Sequence, residues 1–409
     1  MTNAPSVLRR IGVIGLFAAA ATAIWLPCLH LLFRQKVGRY YAPTGIPDKA
    51  RALSVQYTEL WSDPAAVGRE IAKMRGSNAE WDFMGRTFFV LSLANMALRE
   101  PSAKPSYLAI MDKIIDETLR LERERGVHYF LMDYSRASPF VLSGGRSLFE
   151  DGEISLMLGA RRMVEEKPEY RSALSERVAA MTAYMQKSQV LCGESYPDEC
   201  WMFCNAAALV SIRMADVLDG SDHSSFLRRW TAMAKNKLVD PATGLLVSSF
   251  TADGGHLDGP EGSSIWMVAH CLQAVDPAFA EDQYRRAKRE LARRVLGFGY
   301  AREWPVSWNG AADVDSGPII PVLEISAGSS GLAFVGAAAF GDRDFLEGLL
   351  TSLRFGGFPV ERGGRLRYCA GNQVGDAVLL YSTVLGPLWR EMDAKERREE
   401  RQHEAKPDA

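Results

Sequence analysis

An unbroken series of amphipathic segments limits most strongly what this chain can fold into. From residue 48 onward, apolar residues recur at intervals of three and four, which is the period of an α-helix with one buried face. The pattern predicts about twelve helices at a spacing of about thirty residues. They are 52–60, 83–98, 107–121, 149–164, 170–189, 201–218, 226–238, 263–275, 278–296, 325–340, 345–353 and 374–389. Strand-like patterns are short, at 245–250 and 366–369, so the chain is predicted to be all-α.

No linker rich in proline and serine divides this series, so we expect one domain at residues 48–391. About twelve helices in one domain favour an (α/α)6 toroid, in which an inner ring of helices lines a funnel. The polar, glycine-rich loops would then collect at one mouth of the funnel. The other predicted segments are an N-terminal tail at 1–10, a linker at 34–47 and a charged tail at 392–409.

Residues 11–33 are apolar almost throughout and carry no acidic or basic side chain except His30. This length suits one membrane-spanning helix, so a single-pass membrane protein with an N-terminal anchor is predicted. A cleaved signal peptide is the alternative, since Ala21-Thr-Ala23 is an acceptable cleavage pattern. Basic residues on the two sides are nearly balanced, so the pattern leaves the orientation open.

Composition excludes several functional classes. The formal net charge of −2 gives no electrostatic footprint for nucleic acid, so no nucleic-acid partner is expected. The sequence has neither a phosphate-binding glycine loop followed by lysine nor a paired Cys-x-x-Cys zinc pattern. Its six cysteines are too sparse for a disulfide framework in 409 residues. No metal and no organic cofactor are implied.

The densest chemistry lies in residues 194–209, which read ESYPDECWMFCNAAAL. Pro197 and Asp198 are predicted to begin a helix, because proline fits the first turn and aspartate caps its free amides. Cys200 and Cys204 would then share one helical face behind a cluster of carboxylates. The segment is either a catalytic wall or a capped helix whose cysteines pack as small apolar residues.

Four other segments, 80–86, 143–153, 256–264 and 313–318, carry more polar chemistry than a connecting loop needs, and each precedes an apolar pattern. Their acidic candidates are Asp82, Glu150, Glu153, Glu261 and Asp315. These acids either cap helices or meet at the mouth of the toroid. Histidine is scarce, so acid–base chemistry is assigned to carboxylates and thiols.

Residues 196–209 resemble the core segment of the linalool dehydratase/isomerase family. Further runs agree with that family in order and spacing, at 93–98, 152–157, 230–244 and 275–284. The resemblance extends over roughly residues 48–389 and implies an (α/α)6 barrel. It also implies a homo-oligomer in which neighbouring subunits help to complete the site.

The resemblance places site residues that differ in part from the family pattern. Of two family cysteines nine residues apart, the second matches Cys204 and the first falls on Ser195, or on Cys192 if the loop is three residues longer. A site histidine of the family falls on Glu153, and a site methionine falls on Phe149.

Two further acids belong to the implied site. The family acid at Asp198 is retained, and an aspartate of the N-terminal segment falls on Glu59. Because glutamate and serine replace histidine and cysteine, the available chemistry changes, and activity on linalool itself does not follow from the resemblance.

The first functional hypothesis is a lyase or isomerase acting on an alcohol, because dehydration needs an acid, a base and a water-excluding wall. Glu153 is the candidate acid, and Cys204 or Asp198 is the candidate base. The candidate substrate-contacting residues are Phe149, Trp201, Phe203, Asp82, Glu261 and Asp315.

Two other hypotheses use the same fold. A carbohydrate-active enzyme would pair Glu153 with Asp198, Glu261 or Asp315 across a scissile bond, with tryptophans stacked on sugar rings. A membrane-anchored binding protein would share the fold without catalysis. The lyase hypothesis is preferred because of the family resemblance and the apolar residues beside the loop acids.

Overall fold

The computed structural model describes residues 4–312, 314 and 316–404. This part of the chain is mostly helical and contains fifteen α-helices. They are α1 (Ala4–Cys28), α2 (Asp48–Ser62), α3 (Pro64–Ser77), α4 (Ala79–Arg99), α5 (Lys104–Arg125), α6 (Leu148–Val164), α7 (Pro168–Met185), α8 (Met202–Asp219), α9 (Ser224–Lys237), α10 (Gly262–Leu272), α11 (Pro277–Leu291), α12 (Ala327–Ala339), α13 (Arg343–Gly356), α14 (Gln373–Val384) and α15 (Pro387–Glu404).

Six of these helices pack side by side in a closed order. α4 contacts α6, α6 contacts α8, α8 contacts α10, α10 contacts α12, α12 contacts α14, and α14 contacts α4 again. The intervening helices pack on this set, for example α5 on α4 and α6, α11 on α10, and α13 on α12. The apolar core lies between the two groups, because each of the six helices is buried along most of its length.

The connections between helices differ in length on the two sides of these six helices. Long segments precede five of them, at 126–147, 186–201, 238–261, 292–326 and 357–372. Short turns follow all six, at 100–103, 165–167, 220–223, 273–276, 340–342 and 385–386. The polar segments 80–86, 143–153, 194–209 and 256–264 lie at the N-terminal ends of four of these helices.

Small antiparallel sheets lie within the long segments, which corrects the all-α prediction to a mostly helical fold. The strands are β1 (Cys200–Trp201), β2 (Ser249–Phe250), β3 (His256–Asp258), β4 (Ala292–Val295), β5 (Phe298–Ala301), β6 (Ile319–Ile320), β7 (Ile325–Ser326), β8 (Pro359–Arg362) and β9 (Arg365–Tyr368). β1, β2 and β3 form one sheet, and the others form three hairpins. The predicted strand region 245–250 contains β2, and the region 366–369 overlaps β9.

The predicted helix start at Pro197 and Asp198 is wrong. Asp198 has a φ of 61°, in the left-handed region that a helix cannot use. Cys200 then pairs with Phe250 in the β1–β2 ladder, and α8 begins only at Met202. Cys200 and Cys204 therefore do not share a helical face.

Other helix boundaries also differ from the prediction. The helix predicted at 278–296 ends at Leu291, because the next four residues pair with β5. The segment 374–389 is two helices, separated before Pro387, which lacks the amide that a continuous helix requires. The sequence pattern missed α3, whose start is capped by the carboxylate of Asp63. The charged tail is helical through Glu404.

One helix in the described part of the chain, in the stretch Val7–Arg39, is long and apolar enough to cross a membrane, and none of that stretch's most apolar window is buried. This finding fits a membrane anchor and also a signal sequence. The segment after it packs against the helical body, where the Tyr40 and Tyr368 hydroxyls lie 2.8 Å apart. Tyr41 forms a second hydrogen bond, to Ser382 at 3.1 Å. The domain boundaries at 34–47 and 48–391 stay predictions.

Candidate functional site

Glu153 lies inside the protein, on the second turn of α6. Its residue is only 2% exposed, and neither carboxylate oxygen has a hydrogen-bond partner among the described residues. Burial raises the pKa of Glu153 to about 8; the neighbouring hydroxyl of Thr87 opposes the rise, and the charge of Glu80 adds to it. The Thr87 hydroxyl donates to the carbonyl of Phe83 at 3.3 Å. Glu153 is therefore a carboxyl group that holds its proton near neutral pH.

Two thiols lie close to this carboxyl group, Cys204 on α8 and Cys271 on α10. Burial raises the pKa of both thiols, and the charge of Glu153 contributes to each shift. The neighbouring Ser195 hydroxyl opposes the rise in the pKa of Cys204, so Ser195 and Cys204, both predicted site residues, lie near each other. Because thiolates rather than thiols are nucleophiles and bases, these two groups form a weakly polar wall at neutral pH.

Glu80 is the functional candidate that the sequence reasoning missed. The Tyr196 hydroxyl donates a hydrogen bond to the Glu80 carboxylate and accepts one from the Met132 amide at 2.9 Å. The charge of Glu80 raises the pKa of Glu153 and of Cys204, so Glu80 is within electrostatic reach of both groups. Glu80 lies on the same face of α4 as Phe83 and Thr87. This spacing of three and four residues is the sequence signal that distinguishes Glu80 from Asp82.

Asp82, the predicted substrate contact on the same helix, points to a different face. Its carboxylate pairs with Arg86 at 2.8 Å and with Arg75 at 3.6 Å. Arg86 also donates to the Thr118 hydroxyl of α5. Asp82 is thus held in a buried ion pair that joins α4 to its outer neighbours.

Aromatic side chains surround the Glu80–Tyr196 hydrogen bond. Tyr134 stacks on Tyr196 with ring centroids 4.6 Å apart. Glu199 accepts hydrogen bonds from the Tyr134 hydroxyl at 3.2 Å and from the half-buried Trp201 indole at 3.1 Å. Trp201 is therefore joined to this aromatic pair through Glu199, and its role as a substrate contact stays a prediction.

Phe149 and Phe203, the other predicted aromatic contacts, differ in burial. Phe149 is buried one turn before Glu153 and packs edge-on against Phe83, with ring centroids 5.1 Å apart. Phe203 is half-buried at the start of α8, next to Cys204. Phe149 is therefore part of the apolar wall next to the acid.

The loop that carries Ser195 is fixed by a second buried carboxylate, that of Glu194. Glu194 accepts hydrogen bonds from the amides of Val141, Leu142 and Asp198 at 2.7–2.9 Å, and from the Tyr184 hydroxyl at 2.8 Å. Four donors saturate this carboxylate, so its function is to hold two long segments together.

Several predicted residues lie elsewhere. Asp198 is exposed on a turn, and its amide rather than its carboxylate is bonded to Glu194. Glu59 is exposed on α2 and pairs with Arg365 at 2.6 Å.

Glu261 is buried at the N-terminal end of α10, where its amide donates to Ser248 at 2.9 Å. Glu150 accepts from the Phe130 amide at 3.3 Å.

Asp315 lies outside the described residues. Within the described ranges, no group of three or more histidine, cysteine, aspartate and glutamate side chains is placed to hold a metal ion.

The fold and site define a mostly helical protein with a buried, protonated acid beside thiols and a second carboxylate. The family model described as linalool dehydratase/isomerase matches residues 147–374, which is more than half of the chain. The chain belongs to the linalool dehydratase/isomerase family. The match includes Glu153, Ser195 and Cys204, whereas Glu80 lies before it, and it supports an enzyme of the dehydratase or isomerase class.

Proposed function

We propose that this protein is a membrane-anchored dehydratase or isomerase that acts on an apolar alcohol, with Glu153 as the general acid. The observation that carries the proposal is the carboxyl group of Glu153, which is buried and lacks a partner among the described residues. Its pKa of about 8 keeps the proton available near neutral pH, where an ordinary glutamate has lost it.

In the proposed reaction, Glu153 gives its proton to the hydroxyl group of the substrate. The C–O bond breaks, water leaves with the bonding electrons, and positive charge develops on carbon. Phe149 and the neutral thiols of Cys204 and Cys271 offer this charge a wall that excludes water and does not capture the cation as a thiolate would. The carboxylate of Glu153 that remains adds electrostatic stabilisation.

A base must then take a proton from the adjacent carbon to form the alkene. We propose Glu80 for this step instead of Cys204 or Asp198, the two candidates suggested by the sequence. Burial raises the pKa of the Cys204 thiol, so the group stays protonated at neutral pH and cannot accept the proton, and Asp198 is exposed on a turn. Glu80 is a carboxylate near Glu153, and the hydrogen bond from Tyr196 fixes its orientation.

The alcohol substrate is preferred over a sugar for two reasons. Family membership supports dehydratase or isomerase chemistry. The groups next to Glu153 are thiols and phenyl rings, which suit an apolar substrate better than the hydroxyl groups of a glucan.

We also propose that the six helices in closed order form the inner ring of an (α/α)6 toroid. Their cyclic contacts and the placement of long segments at their N-terminal ends support this arrangement. We further propose that the protein forms a homo-oligomer and that its N-terminal helix lies in a bilayer.

The test is turnover by the full-length protein in lipid vesicles on terpenoid and short-chain tertiary alcohols, with neutral glucans as the second panel. Glu153→Gln and Glu80→Gln should each lower alcohol dehydration by about 10²–10⁴-fold. Asp198→Asn is the matched control and should keep its activity, because that carboxylate is exposed. Dehydration that survives Glu153→Gln, or sugar release that this change abolishes, would overturn the proposal.

A further inference from the structure

The apolar N-terminal segment ends directly on the surface of the helical body. Phe33, the last apolar residue of the segment, packs against Phe298 and Phe355 with ring centroids 6.3 and 5.0 Å away. Phe298 and Phe355 also contact each other at 5.2 Å. A second contact lies one turn earlier, where the His30 ring faces Phe298. The end of the proposed membrane span is therefore in contact with α13 and the β4–β5 hairpin.

Large apolar side chains are exposed around this contact. Leu32 is 64% exposed, Phe355 49%, Leu296 43% and Phe358 65%. We call the surface made by Leu32, Phe33, Leu296, Phe298, Phe355 and Phe358 the aromatic patch. Leu32, Leu296 and Phe358 each lie within three sequence positions of one of the three rings in contact. Scattered exposed apolar residues need no explanation, but a group of them beside one contact marks an interaction surface.

The backbone holds two of these side chains outward in an unfavourable conformation. Leu296 has a φ of 48° and Phe358 a φ of 49°. Bulky residues rarely adopt this left-handed region, which glycine or asparagine would occupy without difficulty. An apolar side chain placed at an exposed, strained turn indicates that the side chain itself is used.

Positive charge borders the patch. Arg294 and Arg354 are both exposed, and each is next to a patch segment in the sequence. An apolar surface with arginines at its edge is the arrangement by which proteins insert into the interface of a bilayer that carries anionic lipids.

We propose that the aromatic patch lies in the headgroup region of the same bilayer that α1 enters, with Arg294 and Arg354 on lipid phosphates. Two observations support the bilayer over other partners. The patch touches the last apolar residue of the span, which must lie near the membrane–water boundary. Its edge carries the charge that complements anionic headgroups. The inference rests on the proposed membrane anchor and fixes which side of the helical body faces the membrane.

The experiment uses the full-length protein with Cys28→Ser and Cys369→Ser, since these are the two exposed cysteines and the other four are buried. Single cysteines at Leu296, Phe358, Phe17 and Val141 carry a nitroxide label in vesicles of phosphatidylcholine, with or without phosphatidylglycerol. Collision with oxygen reports lipid, and collision with a water-soluble nickel chelate reports water. Phe17 lies in α1, and Val141 is a matched control, 63% exposed in the segment before α6.

The labels at 296 and 358 should favour oxygen over nickel, less strongly than the label at 17, while the label at 141 stays aqueous. Phosphatidylglycerol should move the labels at 296 and 358 deeper into the bilayer. The double substitution Arg294→Gln and Arg354→Gln should remove this increase in depth. A lipid-exposed label at 17 with aqueous labels at 296 and 358 would overturn this inference but leave the anchor intact. An aqueous label at 17 would overturn the anchor itself. Low collision rates with both reagents at 296 and 358 would show a second protein copy on the patch, which also contradicts the inference.

Discussion

At the scale of single residues, the buried carboxyl of Glu153 links stability to pH. The group ionises near pH 4.5 in an unfolded chain and near 8 in the folded protein. Below pH 4.5 it is neutral in both states. Between the two values it is ionised only in the unfolded chain. The free energy of unfolding should therefore fall as the pH rises, by up to about 1.4 kcal/mol for each pH unit. Glu153→Gln should remove this decline.

The measurement is chemical denaturation of the wild type and of Glu153→Gln from pH 4 to 9 in the same detergent. Other buried acids, such as Asp376, whose pKa burial raises to about 6, titrate in both proteins and cancel in the difference. Wild-type turnover should also fall as the pH rises through about 8, because the acid loses its proton. Parallel stability curves for the two proteins would contradict the assigned ionisation.

Cys204 should resist alkylation, because its thiol is buried and its pKa is raised. In the folded protein at pH 7, iodoacetamide should modify the exposed Cys369 and leave Cys204 free, as peptide mass spectrometry would show. Both should react in guanidinium chloride. Fast modification of Cys204 in the folded state would indicate a thiolate and return it to the list of possible bases.

The sequence indicated site residues only where helical periodicity determined their neighbours. Glu153 and Cys204 could be proposed from the sequence because the family resemblance and a regular helix agree about them. Asp82 was preferred to Glu80 because both are acids in one short motif, and only the packing of α4 shows that Glu80 lies on the side of Glu153 while Asp82 pairs with Arg86. Asp198 was assigned to a helix cap because nothing local reveals that the buried Glu194 captures its amide from the preceding turn.

At the scale of elements, the approach of α6 and α8 depends on Gly152. A Cβ atom there would lie 3.2 Å from the Cys204 carbonyl and 3.3 Å from the Ala208 amide. Gly152→Ala should therefore separate the two helices that carry Glu153 and Cys204, and lower both turnover and the free energy of unfolding, the latter by about 1–3 kcal/mol.

Gly85 in α4 gives the matched control for that substitution. A Cβ atom there meets nothing within 4 Å. Gly85→Ala should raise the free energy of unfolding by about 0.5–1 kcal/mol, because alanine favours the helix. Thermal denaturation and turnover of both variants provide the test. Equal effects of the two substitutions would show that neither turnover nor stability depends on the close approach of α6 and α8 at Gly152.

Helices were predictable because each buries one face along a regular period, and eleven of the predicted segments lie in helices close to the expected places. The small sheets were not, since β1 depends on a partner strand some fifty residues later. Boundaries failed where a local signal competed with pairing at a distance, as at residues 292–296, where the helical pattern continues but the chain turns into a hairpin.

At the scale of the whole molecule, the first and last helices of the closed order must meet, and local sequence carries no sign of this contact. α4 and α14 are separated by most of the chain yet pack closely. The N-terminal segment contacts the same junction, because the carbonyls of residues 42 and 45 accept hydrogen bonds from the end of α4. The junction therefore joins three parts of the chain: the proposed anchor's linker, the first helix of the set and the last.

Arg99 at the end of α4 makes this junction. Its guanidinium donates to the carbonyls of Val384 and Leu385 at the C-terminal end of α14, at 2.9 and 3.1 Å. It also donates to the carbonyls of Ala42 and Gly45, at 3.0 and 3.1 Å. A positive charge at a helix C-terminus is favourable, and the carbonyls of Val384 and Leu385, at the end of α14, have no donor within that helix.

Arg99→Met keeps most of the side-chain length and removes every donor, so it should lower the free energy of unfolding by about 2–4 kcal/mol. Arg120→Met is the control, since the one ion pair of Arg120 with the described residues is an exposed pair with Glu124, and its loss should change stability by less than about 1 kcal/mol. Hydrogen exchange should accelerate in residues 40–47 and at the end of α14 in the first variant and remain unchanged in the second. If α14 kept its protection after Arg99→Met, closure of the helix set would depend on side-chain packing alone, and the guanidinium would serve only to hold the linker.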